Sequence, residues 1–156
     1  MKTGKVLLLG CGILLAVLLL LGVVGGGFFY YISKDPDGLA VYVESPDKVE
    51  RDELFDLKVI VVNERKTRSL EVSSIDLGDD YLAGFTVRGA EPATKSSMHI
   101  PLAGGQSFEF NRVIRAGATN VFTFHMRAAK AGLHRGDVDV CEGMRYLTVM
   151  AQTEVK

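Results

Sequence analysis

Apolar residues follow two unlike patterns along this chain. Residues 6–32 form an uncharged run, with Lys2 and Lys5 before it and Lys34 after it. From residue 39 onward apolar positions instead recur at every second residue. The first pattern reads as one membrane span. Its 27 residues, at about 1.5 Å each in a helix, are longer than a hydrocarbon core of roughly 30 Å requires. Residues 6–24, nearly all Leu, Val and Ile, therefore suffice to cross. Gly25, Gly26 and Gly27 loosen the end of the run, and Phe28, Phe29, Tyr30 and Tyr31 supply the rings that belong at headgroup level.

Two lysines precede the span and Asp35 and Asp37 follow it, so the positive-inside bias predicts a cytoplasmic N-terminus and an extracytoplasmic remainder. The expected place is the cell membrane, single-pass, with the lipid bilayer as a partner through residues 6–32. A cleaved signal would carry a shorter apolar region ending in an A-x-A-like site, and the nearest match here is Val23-Val24-Gly25. Leu8-Leu9-Gly10-Cys11 ends like a bacterial lipobox, but few apolar residues precede Cys11 and the run continues long after it. Gly22 and Gly26 have the spacing of a helix-packing motif, yet they sit where the span ends. A retained anchor is the expectation.

In the second pattern, Phe55, Leu57, Val59 and Val61 alternate with Asp56 and Lys58, before Ile60 and Val62 make the strand end apolar on both faces. Leu39, Val41 and Val43 precede in the same style, with Ser45-Pro46-Asp47 as a turn. After the turn at Asn63-Glu64-Arg65-Lys66, Leu70 and Val72 begin another strand. Its apolar phase moves by one at Ser73-Ser74, so that Ile75 and Leu77 continue it, which predicts a bulge or a crossing between sheets. Phe85 and Val87, then Phe108 and Phe110, then Phe122, Phe124 and Met126, then Val138 and Val140, and a last strand over 145–151 complete the series. Only 79–82 hints at a helical turn. The fold class predicted is all-β, a sandwich of seven to eight strands preceded by one N-terminal transmembrane helix. Its parts are a cytoplasmic stub and anchor over 1–32, a linker over 33–38, and the sandwich over 39–156.

Several residues carry a resemblance. Glu53, Phe55, Leu57, Val59, Val61 and Asn63, then Ile100-Pro101-Leu102, then Ala116-Gly117 before Phe122 and Phe124, and finally Gly132, Gly136, Val138 and Val140 resemble the extracytoplasmic immunoglobulin-like modules of bacteria and archaea, including CARDB-type and NEW3-type domains. The resemblance implies a strand ending in Asn before a turn and a late Gly opening the terminal hairpin. It carries no catalytic residues. The disulfide and core Trp of antibody domains are absent, since the chain has no Trp and only Cys141 lies beyond the anchor.

Charge and motifs narrow the function. Without Lys2 and Lys5, 16 basic residues face 19 acidic ones, a net charge of −3 that argues against a nucleic-acid partner. No Gly-x-Ser-x-Gly elbow, triad spacing or P-loop appears. Asp79-Asp80 and Asp137-x-Asp139 are paired carboxylates without an evident cleft, so the chain is expected not to be an enzyme and to carry no cofactor. His99, His125 and His134 accompany Met98, Met126 and Met144, a copper-like set without ligand spacing; alternation places Met98 and Met126 in the core. Asp76, Asp79 and Asp80 are hard oxygen donors suited to calcium, with a solvated turn as the plainer reading. Arg135-Gly136-Asp137 is a short adhesion-like tripeptide in which Gly136 serves the start of a strand.

Alternation puts Cys141 on the face of Asp137 and Asp139, away from the core; the sharper reading is intermolecular pairing or an exposed reactive thiol, and the plainer one is a small residue tucked against a turn or loop. The candidate interaction surface is therefore Asp79, Asp80 and Tyr81 of the loop over 77–82, with Asp137, Asp139 and Cys141 of the terminal hairpin. The expected function is a protein-interaction or assembly module with an unidentified protein partner. The alternatives are a metal (copper or calcium) or small-ligand carrier at the membrane surface, and an architectural subunit of a membrane complex.

Overall fold

A computed structural model of the chain describes residues 3–101 and 104–156, with side chains from Leu14 onward. Lys2 and Leu102 lie outside the described residues, as do the side chains of Lys5 and Cys11. The chain forms two units, residues 1–34 and 35–156. The first is one helix, α1 (Thr3–Ile32). Its segment Leu14–Ile32, 19 residues with mean hydropathy 2.2, is long and apolar enough to cross a membrane. Just after the helix, the Lys34 ammonium stands 4.5 Å from the centre of the Tyr30 ring.

The second unit is a sandwich of two sheets. Its strands are β1 (Leu39–Glu44), β2 (Lys48–Val49), β3 (Leu54–Asn63), β4 (Leu70–Gly78), β5 (Phe85–Glu91), β6 (Ser96–Ile100), β7 (Gly105–Ile114), β8 (Thr119–Ala128), β9 (Gly132–Glu142) and β10 (Arg145–Val155). A short helix, α2 (Asp79–Leu82), sits on the residues that hint at a helical turn. One sheet runs β1-β3-β8-β5 and the other β2-β10-β9-β4-β7-β6. Of the ten strands among the described residues, eight are those that the alternating pattern predicts. The added pair carries little alternation: β2 is two residues held parallel to β10, and β6 is the edge strand Ser-Ser-Met-His-Ile, exposed over its first four residues. Edge position also corrects the core placement of Met98, which is 65% exposed. It pairs with Ser107 on the outward face of the sheet.

Alternation becomes burial where the two sheets meet. Leu57, Val59 and Val61 of β3 and Phe122, Phe124 and Met126 of β8 are fully buried from one side. Ile75, Leu77, Val138 and Val140 are buried from the other. Edge-to-face pairs cross between the layers, Phe108 with Phe124 at 5.0 Å and Phe110 with Phe122 at 4.8 Å, each adding about 1 kcal/mol beyond its burial. The phase change at Ser73-Ser74 is a slip in the β4–β7 ladder between Val72 and Ser74. It lets Leu70, Val72, Ile75 and Leu77 all stay inside.

Asn63 closes one end of the sandwich. It is fully buried; its side-chain amide donates to the carbonyls of Arg68 and Ile114 at 2.9 and 3.0 Å, and its side-chain oxygen accepts from the Arg65 N–H at 3.1 Å. Its backbone bonds Ala118 and Gly117. The β3–β4 loop and the end of β7 thus depend on one amide. Asn63→Ala leaves those groups without partners inside the protein, a cost of about 3 kcal/mol, which should appear as a lowered urea midpoint with unchanged slope. A change under about 0.5 kcal/mol would show that the loops hold without it.

Candidate functional site

The outward face of the six-stranded sheet can be read across its ladders. One row runs Tyr146, Cys141, Ser74, Glu109, Ser96; the next Thr148, Asp139, Asp76, Ser107, Met98; the third brings Met150 beside Asp137, and Gly78 beside Gly105 beside Ile100. Carboxylates occupy the middle of this face and apolar side chains its flanks. At Gly78 and Gly105 no side chain rises from the sheet, and neighbouring backbone crowds the space one would need. A Cβ on Gly105 would lie 2.8 Å from the Leu77 carbonyl oxygen, and one on Gly78 would lie 3.2 Å from the Asp137 nitrogen.

The missing side chains leave a groove of about 650 Å³ lined by Asp76, Asp79, Asp80, Asp137 and Asp139, with Ile100 and Met150 among its apolar walls. Arg135 is the one cation among its described lining residues. This corrects the expectation that the paired carboxylates have no cleft. Sequence spacing cannot reveal the groove, because its depth comes from glycines on neighbouring strands brought level by register.

The structure brings Asp79, Asp80, Asp137 and Asp139 together along this groove and removes Tyr81 from the surface. Tyr81 is fully buried, its hydroxyl 3.2 Å from that of Thr153 and its ring 4.8 Å from Phe85. In a one-turn helix its neighbours Asp79 and Asp80 point away while the phenol plugs the core. Gly136 is corrected too: it lies inside β9 rather than at its start, and a Cβ there would meet the Tyr81 nitrogen at 2.7 Å. Its role is to admit α2. Cys141 is half-buried, its thiol directed at the Asp76 carboxylate at 3.7 Å. Burial pushes that thiol up to about 12, and the neighbouring Asp76 and Asp139 add to the shift. A thiol so protonated is a poor nucleophile.

The histidines are scattered. His99 on β6 faces the Asp79 carboxylate at 3.1 Å, His125 faces Asp56 on the other sheet at 2.8 Å, and His134 is buried against the Lys130 carbonyl. Met126 is in the core. Among the described residues no three His, Cys, Asp or Glu side chains come together as a metal-ligand set. A second exposed feature lies on the other sheet, where Tyr42, Ile60 and Val121 form an apolar row.

No family model matches the chain, and neither does any curated protein. Solved structures do. The CARDB domain of the PF1109 protein from Pyrococcus furiosus, in complex with di-metal ions, is 17% identical over 79% of this chain and 90% of that one, with a TM-score of 0.47. A solution structure of the same domain is 14% identical over 78% and 97%, with a TM-score of 0.46. AvmM, which catalyses macrocyclization in alchivemycin A biosynthesis, is 9% identical over 77% and 89%, with a TM-score of 0.50. The fold is an immunoglobulin-like β-sandwich. CARDB domains, the kind of neighbour that the sequence resemblance leads one to expect, are among the matches. At these identities the likeness is one of fold alone.

Asp139 reports on the groove electrostatically. Burial holds its carboxyl above the ordinary value, against a hydrogen bond from Thr148, and the charges of Asp137 and Asp76 push it further. A carboxyl raised in the folded state favours folding while protonated, and that contribution is lost as pH rises through its folded pKa. Asp139→Asn removes the cost of the ionised form. It should raise the urea midpoint at pH 7, with the gain shrinking as pH falls through the raised folded value and gone below about 4. A lower midpoint at pH 7 would contradict this electrostatic reading.

Proposed function

We propose that the chain is a single-pass, membrane-anchored module whose extracytoplasmic immunoglobulin-like domain binds another protein through the acidic groove, without catalysis. The observation that carries this reading is the convergence of Asp76, Asp79, Asp80, Asp137 and Asp139 between Ile100 and Met150 on one sheet face. Such a surface fits a partner segment with Lys or Arg over the carboxylates and apolar side chains against the walls. Charge of one sign steers the encounter and sets register, and the apolar flanks hold the bound state. Membrane tethering adds to this by raising the effective concentration of any partner in the same membrane. The orientation follows from the lysines and aspartates that flank the span.

Site-specific photocrosslinking in native membranes tests the reading. A photoreactive residue replacing Met150 should crosslink to a protein partner, and one replacing Tyr42 on the other sheet should not. Combining the Met150 probe with Asp79→Lys and Asp137→Lys should cut the yield roughly tenfold, equivalent to about 1.4 kcal/mol. Equal yields from the two positions, or a yield indifferent to the reversed charges, would overturn the groove assignment. Crosslinking abolished by chelator alone would assign the carboxylates to a hard cation instead.

A further inference from the structure

The end of the sandwich where the chain enters from the linker is unlike the groove in charge. Lys66 and Arg68 in the β3–β4 loop and Arg115 in the β7–β8 loop are exposed, and among the described residues no carboxylate stands within ion-pair distance of them. Beside them Arg65 and Arg145 both pair with Glu142, at 2.6 and 3.1 Å. Glu64, Asp37 and Asp35 are the opposing groups, Lys34 offsets Asp35, and Glu71 and Arg112 on the adjoining strands cancel. A cationic end thus sits on a domain whose net charge is negative.

The linker is pinned to this end. The Arg65 guanidinium donates to the Asp37 carbonyl at 2.8 Å, and the Glu64 N–H donates to the Gly38 carbonyl at 2.8 Å. Four residues, 33–36, therefore separate the last residue of α1 from the first pinned residue. Fully extended, that stretch from residue 32 to residue 37 reaches at most roughly 18 Å. We infer that Lys66, Arg68 and Arg115 form a docking face for the acidic headgroups of the bilayer that the chain spans, a proposal that rests on the membrane-anchor reading. Each Lys or Arg near an anionic surface strengthens the contact roughly five-fold, and the effect fades within a Debye length of about 8 Å at physiological salt. A tether of this reach lets the cations come within that distance of the layer.

The chain has no Trp, so a single reporter is clean. Met144, exposed at the tip of the β9–β10 hairpin on the same end, accepts one as Met144→Trp; Leu133, exposed at the opposite end of β9, accepts the control Leu133→Trp. The full chain is reconstituted in vesicles of phosphatidylglycerol or of phosphatidylcholine, each containing headgroup spin-labelled lipid. Quenching at position 144 should be at least twice as strong in phosphatidylglycerol. It should fall to the phosphatidylcholine level with Lys66→Glu, Arg68→Glu and Arg115→Glu together, or at high salt, while position 133 stays unquenched. Equal quenching in the two lipids, or quenching that survives charge reversal with an unchanged unfolding midpoint, overturns the docking face. Carbonate extraction separates the two ideas: a chain that is extracted defeats the anchor reading itself, and one that resists extraction without lipid-dependent quenching defeats the docking face alone.

Discussion

Two backbones touch where α2 lies on β9, and the arrangement of the site depends on that contact. The Tyr81 backbone is so close to Gly136 that a methyl group would not fit between them. With the approach fixed, the phenol reaches Thr153 and Phe85 inside the sandwich, and Asp79 and Asp80 are left at the mouth of the groove. Glycine is needed here for proximity rather than for turning. The same device recurs at Gly78 and Gly105, where close strands carry no side chains and the sheet face sinks.

The period of two made the sandwich legible, because burial on one face writes itself into every second residue of the long strands. It failed where burial fails. The edge strand β6 is exposed on most of its length, so Met98 looked like a core residue and is a surface one. Tyr81 looked like loop surface because a four-residue helix is too short to show a period, and its tyrosine in fact fills the end of the core. The acidic residues of the site were readable one segment at a time. Their meeting depends on the register between β4, β7 and β9, which no local pattern encodes.

The small net charge of the domain conceals a separation. Carboxylates gather on the outward face of the six-stranded sheet, and exposed cations gather where the linker enters. Asn63 and Arg65 build the second region by tying loops and linker together, while glycines build the first. A sandwich of this kind leaves its loops and outward faces free to vary without disturbing the inter-sheet aromatics, so fold and contact chemistry are largely independent.

Hydrogen exchange on the full chain in lipid nanodiscs, free and bound to the partner captured by crosslinking, bears most directly on whether the acidic groove is the contact surface. Slowed exchange should concentrate in residues 76–80, 104–107 and 135–139, with β1 and β3 unchanged. Protection confined to the other sheet, around Tyr42, Ile60 and Val121, with the groove segments exchanging as in the free chain, would contradict it.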